Sequence, residues 1–290
     1  MSITQGRITA NDLEFAYLEA GAGPLALCLH GFPDSAHTWR HLLPALADAG
    51  FRAVAPFMRG YAPTAVPGDG RYQPAVLALD ACALHDALGG DGDAVIVGHD
   101  WGAMATYIAA NHAPDRWKRV VAMAVPPAGA VAGSFLTYSQ LKKSWYMFFF
   151  QHGLADVVVG MDDLAFIDQL WADWSPGYDG TEDISHVKDA LRGPENLAAA
   201  LGYYRATLGG VGVDPALDAI QNKGNDVTPQ PTLYLHGRAD GCMGIEVAQA
   251  GAAFLTSPGS RMEVVDETGH FLHLEKPAEV NRLILDHVTR

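Results

Sequence analysis

Residues 95–106 read VIVGHDWGAMAT, and they combine two kinds of local structure in twelve positions. Val95, Ile96 and Val97 form a short β-branched run of the kind that fills a strand buried on both faces. From Gly102 onward, small residues and good helix formers take over. Between them lies Gly98-His99-Asp100-Trp101-Gly102, a glycine on each side of a central residue. In a strand–turn–helix context this spacing lets strand and helix approach closely and pushes the central residue into the open. That residue is Asp100. An aspartate before a helix is more commonly an N-cap, so its chemical reading depends on what surrounds it.

Outward from this turn the same alternation repeats. RITANDLEFAYLEAG (7–21) alternates around Asn11-Asp12 and predicts a β-hairpin. LALCLHG (25–31), FRAVAPF (51–57), DAVIVGHD (93–100) and RVVAMAVPP (119–127) predict buried strands. AHTWRHLLPALADAG (36–50) predicts one helix ending at Gly50, and helices also follow at 72–90 and 102–115. Strands alternating with helices mean a parallel sheet covered on both faces. From about Gly129 to Asp226 the strand pattern stops, leaving aromatic-rich helical segments. It resumes with PTLYLHGRAD (231–240) and RMEVVDETGH (261–270), and PAEVNRLILDHVTR (277–290) predicts a terminal helix. The expected organisation is an α/β core over 1–128 and 229–290, interrupted by a helical cap over 129–228.

Composition narrows the function classes. The chain has 290 residues, 49% of them hydrophobic, and a formal net charge of −14. An acidic surface disfavours nucleic acid and anionic membranes as partners. The three cysteines, Cys28, Cys82 and Cys242, are an odd set without metal-like spacing and fit a reducing compartment. The N-terminus has no signal-peptide pattern, and WYMFFFQH (145–152) is too short to span a bilayer. A cytoplasmic protein is the expectation. The 12 histidines show no metal-ligand spacing, so neither metal nor cofactor is expected.

Asp100 at the turn changes the chemistry available there. A serine attacks carbonyl carbon. A carboxylate that attacks saturated carbon makes an ester, which water then cleaves. Its unperturbed pKa near 4 leaves it ionised at neutral pH without a base.

HGFP (30–33), GHDWG (98–102) and GHFLHLEKP (269–277) together resemble the epoxide hydrolases of the α/β-hydrolase superfamily, and the resemblance spans nearly the whole chain. It implies a mostly parallel eight-stranded sheet flanked by helices, with a helical cap. Loops beyond later strands should carry the acid and the base. Asp240 follows one such strand and His270 the last, in the chain order nucleophile, acid, histidine. Asp226 and Asp266 are alternatives for the acid, and His273 reads as structural. The backbone N–H groups of Phe32 and Trp101 would form an oxyanion hole, with His30 and Pro33 shaping that loop. The resemblance also implies two cap tyrosines that donate to the epoxide oxygen. SWYMFFFQ (144–151) matches at Tyr146, and LGYYRATLG (201–209) matches at Tyr204, with Tyr203 as the alternative.

The expected substrate is a small apolar epoxide, hydrolysed to a vicinal diol through an aspartyl ester, and homodimerisation is left open. A haloalkane dehalogenase would use the same Asp100, with the Trp101 indole holding halide. Phe32, where many such enzymes carry asparagine, disfavours it. A silent binding protein on a hydrolase scaffold is the third alternative. One departure from the family pattern is FMRGYA (57–62), with Phe57 and Ala62 at the outer positions, which should remodel a loop near the site mouth.

Overall fold

The computed structural model describes residues 2–290. Eight strands form one sheet: β1 (Thr4–Ala10), β2 (Leu13–Ala20), β3 (Leu25–Leu29), β4 (Arg52–Pro56), β5 (Val95–His99), β6 (Arg119–Met123), β7 (Thr232–Gly237) and β8 (Arg261–Val265). Their order across the sheet is β1-β2-β4-β3-β5-β6-β7-β8. The Asn11-Asp12 turn closes the β1–β2 hairpin with φ of 47° and 58°, a left-handed pair that short asparagine and aspartate side chains tolerate. β2 runs antiparallel to both neighbours, and every pairing from β4 to β8 is parallel.

The central strands β3 to β7 are almost entirely buried because helices cover both faces. Ala26, Leu27, Val54, Ile96, Val97, Val121 and Leu233 are fully buried. The register pairs Leu29 with Gly98, His99 with Met123, and Met123 with Leu235. These strand ends therefore lie level, and the loops beyond them meet above one edge of the sheet.

One expected element differs. The stretch 36–50 is a 3-10 turn, Ala36–Trp39, followed by a separate helix, Leu42–Asp48. Pro44 explains the break. It has no N–H to bond the carbonyl four residues back, so it fits only within the first turn of a helix, and the second helix starts two residues before it.

Between β6 and β7 the described residues form helices and no strand. Among the described residues no helix is long and apolar enough to cross a membrane.

The FMRGYA loop turns its arginine inward. Arg59 is buried and makes a two-pronged ion pair with buried Asp80, at 2.6 and 2.7 Å, and Asn11 donates to the same carboxylate at 2.7 Å. Burial opposes both charges. The pairing holds the guanidinium above its ordinary pKa, while the Asp80 carboxyl still sits above its own. Removing one partner strands the other. Asp80→Ala is therefore expected to cost about 3–5 kcal/mol of stability, read as a lowered denaturation midpoint at unchanged denaturant slope. A loss below about 1 kcal/mol would contradict this account.

Candidate active site

β5 delivers Asp100 to the rim of the sheet in an unusual conformation. Its φ of 53° and ψ of −117° lie outside the regions ordinary residues prefer, a strain worth about 1–3 kcal/mol that the surrounding structure must hold. Both flanking glycines are sterically required. A Cβ on Gly98 would run into the Gly102 carbonyl, and one on Gly102 into the Leu29 carbonyl. Asp100 is not an N-cap in the hydrogen-bonding sense, because its side chain makes no capping bond to helix Trp101–His112.

That side chain points at two backbone donors instead. The Phe32 N–H donates to Asp100 Oδ1 at 2.9 Å, and the Trp101 N–H lies near enough to favour the ionised carboxylate. Gly31 makes room, since a Cβ there would overlap the carboxylate. The Phe32 loop is itself fixed. His30 Nδ1–H donates to the Gly31 carbonyl at 2.9 Å, and His30 Nε2 accepts from Met58 N–H at 3.0 Å. The Pro33 carbonyl accepts from the Trp171 indole at 2.9 Å.

Asp240 and His270 arrive from the loops after β7 and β8. His270 Nδ1–H donates to Asp240 Oδ2 at 3.0 Å, and His270 Nε2 lies 3.8 Å from Asp100 Oδ2. Asp240 Oδ1 accepts from the N–H groups of Cys242 and Met243 at 2.7 and 2.9 Å. Both loops hang on the Trp174 carbonyl, which accepts from Gly241 N–H at 3.1 Å and His270 N–H at 2.9 Å. The inserted helices thus help to set the triad spacing. The other acid candidates are elsewhere: Asp226 pairs with Lys223 and Asp266 with Arg238, both at the surface. His273 bonds Thr38 at 2.6 Å.

The electrostatics follow from burial and pairing. Burial works to raise Asp240, but the His270 charge and hydrogen bond hold it below the ordinary carboxylate value. Burial works to lower His270, yet Asp240, then Asp100, hold it above the ordinary imidazole value. Asp100 itself is raised by burial, with His270 and the two N–H donors pushing back. The unperturbed value near 4 therefore understates its pKa, and its ionisation depends on those three neighbours.

Two buried tyrosines lie near enough to Asp100 for its charge to act on their hydroxyls. Tyr146 lies on helix Trp145–Phe149, and Tyr204 ends helix Pro194–Tyr204 just before a π-helical turn, Arg205–Gly209. Their ring centroids are 5.6 Å apart, and Tyr204 also packs on Trp101 at 4.9 Å and Phe32 at 5.2 Å. The Tyr204 hydroxyl is buried and makes no full hydrogen bond among the described residues, although the Trp101 indole N–H lies near enough to work against burial on its pKa. Tyr203 is different, because its hydroxyl donates to the Arg59 carbonyl at 2.9 Å. Of the adjacent pair, only Tyr204 has a hydroxyl without a full hydrogen bond. Burial pushes Tyr146 and Tyr204 well above the ordinary phenol value, so both remain protonated donors.

A family model for the alpha/beta hydrolase fold matches residues 24–277. The chain belongs to the α/β-hydrolase fold family, with the epoxide hydrolases. It is 31% identical to an epoxide hydrolase of Caballeronia sordidicola, over 96% of this chain and 91% of that protein. It is 28% identical to epoxide hydrolase A of Mycobacterium tuberculosis, over 99% of this chain and 97% of that one. The structure of Bacillus megaterium epoxide hydrolase in complex with an inhibitor superposes with a TM-score of 0.83 at 26% identity, covering 98% of this chain and 100% of that one. Like these relatives, this member of the hydrolase family is an enzyme.

Two features of the site escaped the sequence reading. Cys242 is buried with its Sγ 3.3 Å from the Tyr146 hydroxyl. Its position two residues after Asp240 was the available signal. Behind His270, His99 Nε2–H donates to the His270 carbonyl at 3.0 Å, and its Nδ1 faces buried Asp34 at 3.7 Å. Asp34 directly follows HGFP, and His99 directly precedes Asp100.

Proposed function

We propose that the enzyme hydrolyses epoxides to vicinal diols through a covalent ester on Asp100. The observation that carries this reading is the pair of buried phenols, Tyr146 and Tyr204, packed against each other and near enough to Asp100 for its charge to act on both hydroxyls. Opening an epoxide needs acidic donors on the departing oxygen, and protonated phenols supply them. Asp100 attacks one ring carbon from the side opposite that oxygen. The C–O bond breaks, and a tyrosine proton goes to the developing alkoxide.

The resulting ester has no charge on Asp100. His270 then loses Asp100, the second-largest of the three carboxylate influences that raise its pKa, and keeps Asp240 and the smaller one from Asp34. Its neutral form is easier to reach at the step where it must take a proton from water. Attack on the Asp100 carbonyl carbon places negative charge on the oxygen nearest the Phe32 and Trp101 N–H groups. Collapse releases the second diol oxygen, which takes up the proton of the nascent carboxylic acid and restores the Asp100 carboxylate; the His270 proton returns through solvent to the tyrosinate, and no cofactor takes part. The aromatic surroundings, Phe32, Phe150 and Trp174, suit a small, mainly apolar epoxide.

The Trp101 indole N–H is also buried and makes no full hydrogen bond among the described residues. This supports a second reading, in which it and a neighbouring donor hold a leaving halide. Two measurements separate the readings. A panel of styrene oxide and a 1-haloalkane should yield diol and no halide. A single turnover in ¹⁸O-water should leave the diol unlabelled and the label on Asp100. Label in the first-turnover diol would mean direct attack by water, and halide release faster than diol formation would establish the second reading instead.

A further inference from the structure

Cys242 has no part in the reaction derived above, yet its thiol lies inside the site. Donor atoms of Asp100, Cys242 and His270 all lie within 4.8 Å of one another, and all three residues are buried. His270 Nε2, which faces Asp100 Oδ2 at 3.8 Å, has no hydrogen-bond partner among the described residues. Thiolate, imidazole and carboxylate are a ligand set for zinc, and three protein ligands with a fourth position open is a common arrangement. In a tetrahedral site such donors sit about 3.5 Å apart, so closing these three around an ion takes side-chain shifts on the order of 1 Å.

The surrounding hydrogen bonds match what a bound ion would require. A metal-bound histidine usually donates its other N–H to a carboxylate, and His270 Nδ1–H already donates to Asp240 at 3.0 Å. The second oxygen of the Asp100 carboxylate is held by Phe32 N–H at 2.9 Å. The Tyr146 hydroxyl, 3.3 Å from Cys242 Sγ, would donate to the thiolate. Each of the three ligands thus has an orienting partner in place. The other buried acid–histidine group, Asp34, His99 and His273, also leaves Asp34 Oδ2 and both Nδ1 atoms without a partner among the described residues, but it has no thiol and so lacks the soft ligand that selects a thiophilic ion.

We infer that Asp100, Cys242 and His270 form a site for a thiophilic divalent cation such as zinc, and that the ion blocks the enzyme by occupying its nucleophile and base. On binding, the Cys242 S–H bond breaks, its proton leaves to solvent and a sulfur–metal bond forms. Any proton on His270 Nε2 also leaves to solvent, so that Nε2 and Asp100 Oδ2 each donate a lone pair. The two anionic ligands offset the dication, the Asp240 carboxylate stays paired with His270 Nδ1–H, and no redox step occurs. Burial raises the thiol pKa, and the ion must overcome this. Apparent affinity therefore rises with pH as the proton is lost more easily.

Cadmium titration of the whole protein tests this, because a cadmium–thiolate bond gives an ultraviolet charge-transfer band. Cys28 and Cys82 are the internal controls. The expected result is a band that saturates at one equivalent, is displaced by zinc, and disappears in Cys242→Ala. The zinc concentration for half-inhibition should rise in that variant by more than the roughly 10–100-fold typical of losing an outer-shell partner. Cys242→Ser keeps a small polar side chain should alanine fail to fold, and it too should lose the band. No band in the wild-type protein, or an equal band in both variants, overturns the site. Neither readout depends on which electrophile the enzyme opens.

Discussion

His270→Ala is expected to stop the cycle half-way, with Asp100 converted to its ester and held there. The two chemical steps draw on different residues. Ester formation needs the Asp100 carboxylate and the tyrosine hydroxyls, none of which is touched by the change. Ester hydrolysis needs a base for water, and removing a positioned base costs about 10²–10⁴-fold. Steady-state turnover should fall by that factor, while one equivalent of epoxide is consumed in a first phase. Intact-mass spectrometry should show the protein heavier by one epoxide, with the added mass on the peptide containing Asp100. The variant also loses the cation that offsets the burial of Asp100, so its carboxyl pKa should rise further and the first phase should slow as pH falls. A variant that loses turnover without ever carrying the adduct would refute the two-step scheme. Asp240→Asn should give a milder version of the same phenotype, because it orients His270 and does not itself touch water.

Much of this arrangement was legible in the sequence, for physical reasons that differ from residue to residue. Asp100 could be read because its conformation makes local demands: Gly98 and Gly102 have no room for a Cβ, and a strand must precede and a helix follow. Asp240 and His270 could be read because each follows a strand of the parallel part of the sheet, and parallel strands bring such positions to one edge. The choice between Tyr203 and Tyr204 could not. Neighbours on a helix point about 100° apart, and which one faces the site depends on how that helix sits on the Arg59 loop. Cys242 was hidden for a related reason. Its partner Tyr146 is far away in the chain, and the two meet because Gln140 and Lys143 tie their helix to the Asp240 loop, through the carbonyls of Cys242 and Asp240. Metal-ligand spacing in sequence is equally silent about Asp100, Cys242 and His270, since the sheet alone brings those loops together.

Tyr146→Phe combined with Tyr204→Phe is expected to abolish the first step and leave the second intact. The change removes two oxygen atoms and keeps both rings, so the packing of Tyr204 on Trp101 and Phe32 and of Tyr146 on Trp174 should survive. Each lost donor should cost about 10²-fold or more in ester formation. The two effects need not multiply. With one phenol gone the other still protonates the oxygen, so each single variant should retain measurable opening and the double variant should lose far more than either. The Tyr204→Phe change should be nearly neutral for stability, because its hydroxyl has no full hydrogen bond to lose. Tyr146→Phe gives up only a weak bond to sulfur. An activated alkyl halide, which needs no proton on its leaving group, provides the decisive control. If the double variant still forms an ester from that halide but not from styrene oxide, the phenols act on the epoxide oxygen. If it opens styrene oxide within about tenfold of the wild-type rate, far short of the loss expected for two general acids, the tyrosines are packing residues and the proton comes from elsewhere.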